Sequence, residues 1–304
     1  MMRDIFISVI ITAYNRKDFL LDAIKSALNQ TLDKKYYEII VIKNFNDEII
    51  DTFIENNNII QILMDGTIGK FLYAGINESH GQIISFLDDD DLFFNNKLED
   101  VYNLFKNNNI VYYHNLLEYI NENKISINKR NYNISFNLSS ISIKKDIINM
   151  DALKEISIDQ DIFMYLCALE SNGKIIRGKE TLTYYRFHNS VSNYVENNDF
   201  KLTHKTELFK NAVSNVYNIY NKFHNNKVKL FLFNQIITLK LELNILYKIG
   251  YCKSNYKIDK NEILKYLYIF QYGDSKKLYY IKLLKLFELF MPNSIIKNIE
   301  LFYT

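Results

Sequence analysis

Apolar runs rich in β-branched residues occur four times in the first third of the chain: residues 5–12, 38–42, 59–64 and 82–87. Runs of this length without polar alternation are typical of strands that are buried on both faces of a sheet. The segments between and after them repeat their apolar residues at helical spacing: residues 18–29, 47–55, 70–79 and 96–106. This alternation predicts an α/β fold with helices flanking a mostly parallel sheet.

Beyond residue 106 the pattern changes twice. Strand-like segments at 110–113, 140–143 and 181–187 surround a helical stretch at 159–171, and from about Asp199 the apolar spacing is helical to the end. Breaks in the helical region are expected near residues 225, 250–255, 273 and 292, where Asn, Gly or Pro occurs. We therefore predict two domains, residues 1–198 and 199–304.

Polar residues follow three of the predicted strands directly, at positions 13–16, 43–47 and 88–91. In open α/β sheets the ligand crevice lies beyond the carboxyl ends of the strands. The three segments are therefore expected to lie close together and to form a binding site.

The third of these segments is a run of four aspartates, Asp88 to Asp91. Adjacent carboxylates repel one another unless a cation offsets the charge. Oxygen ligands suit Mg²⁺ or Mn²⁺, and such sites leave several positions to phosphate oxygens and water. The run thus favours a metal-diphosphate site; a solvated acidic loop is the alternative, and a calcium loop is disfavoured because the ligand spacing of an EF-hand is missing.

Composition narrows the class of protein further. Apolar residues make up 48% and charged residues 24%, as in folded globular proteins. The two cysteines, Cys167 and Cys252, lie in apolar helical patterns without metal-binding spacing, so we expect buried free thiols and a cytoplasmic location. The N-terminus has no cleavage site typical of a signal peptide, and no apolar run reaches the length of about 18 residues that indicates a membrane span.

Three segments together resemble family 2 glycosyltransferases, which have the GT-A fold: VIITAYNRKDFLLDAIKSALNQT, YEIIVI and GQIISFLDDDDLFFNNKLE. Ordered matches extend from Ile7 to Ser192. The resemblance implies sugar transfer from a nucleoside-diphosphate sugar to an acceptor hydroxyl, a glycan or lipid-linked glycan, with Mn²⁺ or Mg²⁺. It also divides the first domain into a nucleotide-sugar-binding part, about 1–115, and an acceptor and base part, about 116–198.

Site residues follow from the resemblance position by position. Asp88 and Asp90 match the two aspartates of the family's DxD motif, which contact the ribose and the metal; Asp88 is also a possible second metal ligand. The remaining positions expected to bind the donor or its nucleotide are Thr12, Tyr14, Arg16, Asn44, Lys70, Asp89 and Arg186. For Tyr14, simple packing remains an alternative.

The catalytic base is expected near residue 160. Asp161 matches the aspartate of the family's Glu-Asp motif and would take the proton from the acceptor hydroxyl in an inverting transfer. Asp159 is the alternative base, or a helix cap, because the family's Glu is Gln160 here. Farther on, Tyr185-Arg186-Phe187-His188 resembles a Tyr-Arg-x-His segment, in which Arg186 would contact the diphosphate and His188 the metal.

One departure from the family concerns the second strand. An Asp-Asp-Gly-Ser segment that helps hold the nucleobase is replaced by Lys43-Asn44-Phe45-Asn46. A changed nucleotide preference, with Asn44 contacting the base, and a catalytically degenerate sugar-nucleotide-binding or scaffold protein are therefore both open. A nucleotidyltransferase ranks third, because its Gly-rich phosphate loop is absent from the N-terminal region.

The last third of the chain is basic, since residues 201–304 carry 17 Lys against 7 acidic residues, whereas residues 1–200 have a net charge of −8. Lysines alternate there with aromatic and aliphatic residues at helical spacing. Such helices can lie on an anionic membrane surface, which would make the protein peripheral at the cytoplasmic face; a bundle with its lysines in water is the alternative. No motif points to nucleic acid.

Overall fold

The computed structural model describes residues 5–106, 108–127, 137–187, 198–273 and 285–302. The chain divides into two compact units, Met1–His188 and Asn189–Thr304. Because His188 lies outside the described residues, its predicted metal contact stays a prediction.

The described part of the first unit contains one sheet of eight strands. The strands are β1 (Ile7–Ala13), β2 (Tyr37–Lys43), β3 (Ile60–Leu63), β4 (Ile83–Asp88), β5 (Leu92–Phe93), β6 (Ile110–Ile120), β7 (Ile141–Lys144) and β8 (Lys174–Arg186). Their order across the sheet is β3-β2-β1-β4-β7-β6-β8-β5.

The first half of the sheet is parallel and the second half is mixed. β1 pairs in parallel with both β2 and β4, and β2 pairs in parallel with β3. β7 runs antiparallel to β4 and to β6, whereas β8 runs parallel to β6 and antiparallel to β5. The carboxyl ends of β1, β2 and β4 therefore meet at one edge, as the sequence pattern predicts.

Helices cover the sheet between these strands. They are α1 (Leu20–Leu28), α2 (Glu48–Asn56), α3 (Ile68–Glu78), α4 (Lys97–Lys106), α5 (Met150–Leu153) and α6 (Gln160–Glu170). α1 buries Leu20, Ala23, Ile24 and Ala27 on one side, at the spacing expected of an amphipathic helix.

The burial of the strands agrees with the sequence prediction for some strands and differs for others. Every residue of β1 is buried, in agreement with a strand covered on both faces. β3 was expected to be equally buried, but it lies at the sheet edge and exposes Leu63 by 52%. β6 and β8 extend well beyond their predicted bounds, and several of the added positions are exposed, among them Leu116 in β6 and Glu180 in β8.

The second unit is helical in its described part. Its helices are α7 (Asn198–Tyr220), α8 (Asn226–Lys248), α9 (Lys260–Gly273) and α10 (Asn293–Phe302). α8 is long and apolar enough by length and composition to cross a membrane, with a mean hydropathy of 1.2, but 44% of that stretch is buried within the protein. The core helix of a soluble domain has the same properties, so this is weak evidence for a span.

Both cysteines are free and buried, as predicted. Burial raises the pKa of the Cys167 thiol to about 12, which makes it unreactive at neutral pH.

Candidate functional site

A cavity of about 730 Å³ opens at the carboxyl ends of β1 and β4. Its lining residues come from the turns after these strands, the start of α3, the segment before β7, the start of α6 and the end of β8: Thr12, Tyr14, Arg16, Gly66, Thr67, Ile68, Phe71, Asp88, Asp89, Asp90, Asn137, Leu138, Ser157, Gln160, Asp161 and Tyr185. The edge of the sheet favoured by the sequence therefore does contain a cavity, and its volume is typical of small-molecule sites.

The turn after β1 contacts the aspartate run directly. Arg16 Nε donates to Asp89 Oδ2 over 2.9 Å, and its Nη2 contacts both Asp89 Oδ1 and Asp90 Oδ2, the latter at 2.7 Å. Partial burial lowers the pKa of Arg16, but the two carboxylates outweigh this effect and raise it. Arg16 thus offsets part of the repulsion within the run.

Tyr14 and Thr12 line the same cavity. Thr12 lies opposite Asp88 in the parallel register of β1 and β4. Tyr14 is 55% exposed, and its ring lies 6.0 Å from that of Phe71. An exposure this high fits a ligand contact better than simple packing.

The four aspartates have different surroundings. Asp88, Asp89 and Asp90 line the cavity, but Asp91 is 1% exposed and is not part of the lining. Asp91 accepts hydrogen bonds from the backbone N of Arg186 and from Asn137 Nδ2, each over 3.0 Å. This last aspartate ties the run to two neighbouring segments and does not face the ligand space.

Burial dominates the electrostatics of the run. It raises the pKa of Asp88 well above the ordinary value, and the neighbouring carboxylates, Asp91 first, raise it further. Burial and Asp90 raise the pKa of Asp91 to about 7 despite its hydrogen bonds. A cation bound at Asp88 and Asp90 would relieve this cost of holding buried carboxylates together.

The segment after β2 is arranged differently from the expected base-binding acids. The Lys43 side chain is fully buried, with Nζ 2.7 Å from Asp51 Oδ1. Asn44 and Asn15 exchange hydrogen bonds, since Asn44 Nδ2 donates to Asn15 Oδ1 and the Asn15 backbone N donates to Asn44 Oδ1, both over 2.8 Å. Asn44 is therefore beside the turn after β1 but outside the cavity lining.

The three predicted turns do lie together. Asn15 and Asn44 join the first two, Arg16 joins the first to the aspartates, and Lys17 Nζ lies 3.0 Å from Asp47 Oδ2. This part of the site is as the sequence predicts.

Of the two candidate bases, Asp161 lines the cavity and Asp159 does not. Burial raises the pKa of both carboxyls. Asp159 precedes α6 in a left-handed conformation, with φ of 57°, and its side chain makes no capping hydrogen bond, so the capping interpretation is wrong. The geometry favours Asp161.

Lys70 lies outside the cavity lining, although Gly66, Thr67 and Ile68 just before it belong to the lining. Its neighbour Gly69 is buried, and the Gly69 backbone N donates to Ile156 O over 3.0 Å. This hydrogen bond joins the start of α3 to the segment that precedes Asp161.

Arg186 also lies outside the cavity lining, and it is 2% exposed. Its guanidinium donates to Asp90 O over 2.8 Å, to Glu122 O over 2.9 Å and to Asp22 Oδ2 over 3.3 Å. These protein acceptors occupy it, so it supports the backbone of the aspartate run instead of facing a diphosphate. Strand alternation turns its neighbour Tyr185 toward the cavity.

Several residues that line the cavity were not predicted from the sequence. Asn137 and Leu138 lie outside the predicted strands and helices. Tyr185 lies in the predicted strand 181–187 and in the Tyr-Arg-x-His segment, but the sequence assigned it no role. Burial and the nearby carboxylates raise the pKa of Tyr185 to about 12, so its hydroxyl stays protonated and can donate. The placement of these residues depends on long-range pairing, which local patterns do not reveal.

A metal site here would be built from few protein ligands. In the part of the chain that the structure describes, no group of three or more His, Cys, Asp or Glu side chains is arranged to hold an ion. Asp88 and Asp90 nevertheless supply hard oxygen donors in the cavity, and a Mg²⁺-type ion commonly uses one or two carboxylates with phosphate and water. The donor set fits an ion that arrives with a phosphorylated ligand.

A mixed sheet whose parallel strands end at a carboxylate-lined cavity, with a further carboxylate from the start of α6, is the arrangement of a GT-A-type fold. The sequence profile of Glycosyl transferase family 2 matches residues 8–170, and the chain belongs to this family. The suspected family and the predicted α/β fold with a helical C-terminal region are thus confirmed.

Known proteins similar to the chain agree with this assignment. An uncharacterized glycosyltransferase of Rickettsia bellii is 37% identical over 126 residues, 40% of this chain and 18% of that protein. Poly(ribitol-phosphate) beta-N-acetylglucosaminyltransferase TarP of Staphylococcus aureus is 32% identical over 110 residues, 34% of each protein. The crystal structure of S. aureus TarS 1-349 in complex with UDP-GlcNAc superimposes with a TM-score of 0.56 at 13% identity, covering 87% of this chain and 79% of that one.

The structural similarity to TarS shows the shared fold alone, because the sequences are so different. The aligned regions span only 18% to 34% of the length of the first curated relatives. Activity and substrates therefore require their own argument.

Proposed function

We propose that the protein is an inverting glycosyltransferase that moves a sugar from a nucleoside-diphosphate sugar to an acceptor hydroxyl. The observation that carries this proposal is that Asp161 and the carboxylates of Asp88 and Asp90 line one cavity from different elements, α6 and the end of β4. Sugar transfer needs stabilisation of the leaving group on one face of the anomeric carbon and a base on the other. The cavity offers both.

Asp161 is the proposed base. Burial raises the pKa of its carboxyl, which makes the carboxylate a better proton acceptor than an exposed aspartate. The acceptor hydroxyl would donate its proton to Asp161 as its oxygen attacks the anomeric carbon, while the bond to the diphosphate breaks. Inversion follows because attack and departure occur on opposite faces.

Asp90 and Asp88 would hold a divalent metal, Mn²⁺ or Mg²⁺. When bound, such an ion stabilises the negative charge that develops on the leaving diphosphate. Arg16, which contacts Asp90 and lines the cavity, would bind phosphate oxygens alongside the ion.

The proposed donor class draws on the family and on its relatives. The TarS structure contains UDP-GlcNAc, and TarP is named for transfer of N-acetylglucosamine to poly(ribitol-phosphate). By analogy, we propose a nucleotide sugar as donor and a glycan or lipid-linked glycan as acceptor. UDP-GlcNAc is then the first donor to test.

The test measures nucleotide release from a panel of nucleotide sugars with Mn²⁺, comparing the native chain with Asp161→Asn and Asp90→Asn. Asp161→Asn should lower turnover at least about 100-fold while it keeps nucleotide binding, because general-base removal has effects of this size. Asp90→Asn and EDTA should both abolish metal-dependent turnover. Asp146→Asn, an exposed acid away from the cavity, is the matched control.

Other results would redirect the proposal. Turnover that survives both EDTA and Asp90→Asn contradicts the metal role. Loss of turnover in Asp159→Asn but not in Asp161→Asn moves the base to Asp159. Nucleotide binding without turnover on any donor supports the alternative, a degenerate sugar-nucleotide-binding module, for which the buried Lys43 in place of the family's acid is the motivating observation.

A peripheral location at the cytoplasmic face of a membrane is also proposed, on the basis of the second unit. Phe287 and Phe290 are 60% and 84% exposed in a region of the chain rich in lysine. Exposed aromatic rings beside positive charges suit an anionic lipid surface. In flotation with phosphatidylserine vesicles, Phe287→Ser/Phe290→Ser should reduce binding relative to the native chain; equal binding of the two proteins contradicts the proposal.

A further inference from the structure

A buried polar cluster lies directly behind the aspartate run. Its members are at most 2% exposed and belong to four segments, α4, the turn before β7, β6 and β8: Lys97, Ser139, Thr183 and Asn115. None of them lines the cavity. Burying polar side chains costs free energy unless they are hydrogen-bonded, so packing alone does not explain this cluster.

Lys97 is the centre of this cluster. Its side chain is fully buried, with Nζ donating to the backbone oxygen of Ser139 and, over 3.0 Å, to Thr183 Oγ1. The same nitrogen lies 4.1 Å from the centre of the Phe93 ring. All these partners are acceptors or a π face, which suits an ammonium group that has three donors and no lone pair.

Ser139 connects Lys97 to the site. The hydroxyl of Ser139 accepts from the Asp88 backbone N over 2.9 Å and lies 3.4 Å from Asp88 Oδ2. Its neighbours Asn137 and Leu138 line the cavity. A shift of the Ser139 backbone would therefore move both Asp88 and one wall of the cavity.

The acceptors of Lys97 do not depend on it. Ser139 O also accepts from Thr183 Oγ1 over 3.1 Å, and Thr183 Oγ1 also accepts from Asn115 Nδ2 over 3.0 Å. Replacing Lys97 by an apolar side chain of similar length would thus leave no acceptor without a donor. Such replacements of buried charges are often neutral or stabilising.

We propose that Lys97 is a positioning residue of the donor site, which acts through Ser139 to hold Asp88 and the Asn137–Leu138 wall in place for the diphosphate. This role rests on the proposed function, since it presumes that a nucleoside diphosphate binds in the cavity.

The experiment measures nucleoside-diphosphate binding by calorimetry with MnCl₂, using UDP first and then GDP, CDP, ADP and dTDP. Lys97→Met should weaken Kd about tenfold while the melting temperature stays equal or rises. A purely structural role predicts the reverse, a lower melting temperature with unchanged Kd. Lys145→Met is the matched control, because the half-buried Lys145 also donates to a backbone oxygen, but this oxygen, Ser79 O, precedes the start of β4, at the end of the strand away from the aspartate run.

A second variant tests the route through Ser139. Ser139→Ala should also weaken Kd, and Lys97→Met/Ser139→Ala should lose no more affinity than the weaker-binding single variant, because both changes act on one contact path. If Lys97→Met does not fold, Ser139→Ala decides alone.

The outcomes separate the two proposals. Native affinity in Lys97→Met or in Ser139→Ala, with a native chain that binds nucleotide, overturns the positioning role only. Fully additive losses overturn the route through Ser139. A native chain that binds none of the five nucleotides overturns the proposed function, and the positioning role with it.

Discussion

Substitution of Gly69 tests whether the contact between α3 and residues 153–156 positions Asp161, the proposed base. A Cβ added at this position would overlap the backbone oxygen of Leu153 and come within 2.5 Å of Ile156 O. Both contacts are with backbone, which cannot rotate away. Gly69→Ala must therefore push the segment at residues 153–156 away from α3, and Asp161 follows that segment closely.

The size of the effect can be worked from these contacts. Overpacking typically costs about 1–3 kcal/mol, and weakening the hydrogen bond from Gly69 N to Ile156 O costs about 1 kcal/mol more. Alanine recovers about 0.5–1 kcal/mol of helix propensity, so the expected net loss is about 1–3 kcal/mol. A displacement near 1 Å at a catalytic group can lower turnover about 100-fold.

The assay compares Gly69→Ala with Gly75→Ala in the same helix. At Gly75 the added Cβ meets only side chains, Ile42 Cδ1 at 2.6 Å and Ile10 Cγ2 at 3.1 Å, so the crowding falls on side chains and not on the backbone. We expect nucleotide release to fall about 10- to 100-fold in Gly69→Ala and to stay near native in Gly75→Ala. Native turnover in Gly69→Ala, or an equal loss in both variants, would refute the reasoning.

Three further predictions concern stability. The Tyr112 hydroxyl is buried and has no hydrogen-bond partner among the residues that the structure describes, so Tyr112→Phe should raise the free energy of unfolding by about 1 kcal/mol in urea titrations. A lower free energy of unfolding would contradict this. Burial, and then the charge of Arg177, lower the pKa of His114. The free energy of unfolding should therefore fall as the pH drops below about 6.5, because there the unfolded chain takes up a proton that the folded chain does not. His114→Gln should make the free energy of unfolding less dependent on pH in this range, and an unchanged pH dependence would contradict the prediction. Arg186→Met should lower the free energy of unfolding by about 2–3 kcal/mol, because Asp90 O and Glu122 O lose this donor while Asp22 keeps its ion pair with Lys124. A change below about 1 kcal/mol would mean that the guanidinium is dispensable.

The strands that carry the site could be predicted because they are buried on both faces. A continuous apolar run such as Ile7–Ala13 has a strong local signal, and its carboxyl end marks where ligands bind in such sheets. The sequence therefore predicts both the cavity residues Asp88, Asp90 and Arg16 and the fact that the turns after β1 and β4 lie together. β3, an edge strand, was placed correctly but its exposure was not foreseen, since edge position depends on the strand order.

Roles that depend on which side of a strand a residue faces were harder to predict. Arg186 was expected at the diphosphate, yet the register of β8 turns it into the protein and gives the cavity to Tyr185. Lys97 and Asn137 had no signal, because one lysine in a helix and one asparagine before a short strand are common. Their positions follow from pairings between residues far apart in sequence.

Those long-range pairings also have a consequence for the order of folding. The bonds that hold the cavity join Arg16 to Asp89, Lys97 to Thr183 and Arg186 to Asp91, residues separated by 73, 86 and 95 positions. Contacts of such high contact order form slowly, after local helices. Nucleotide binding should therefore be among the last properties to return on refolding, well after the helical circular dichroism signal.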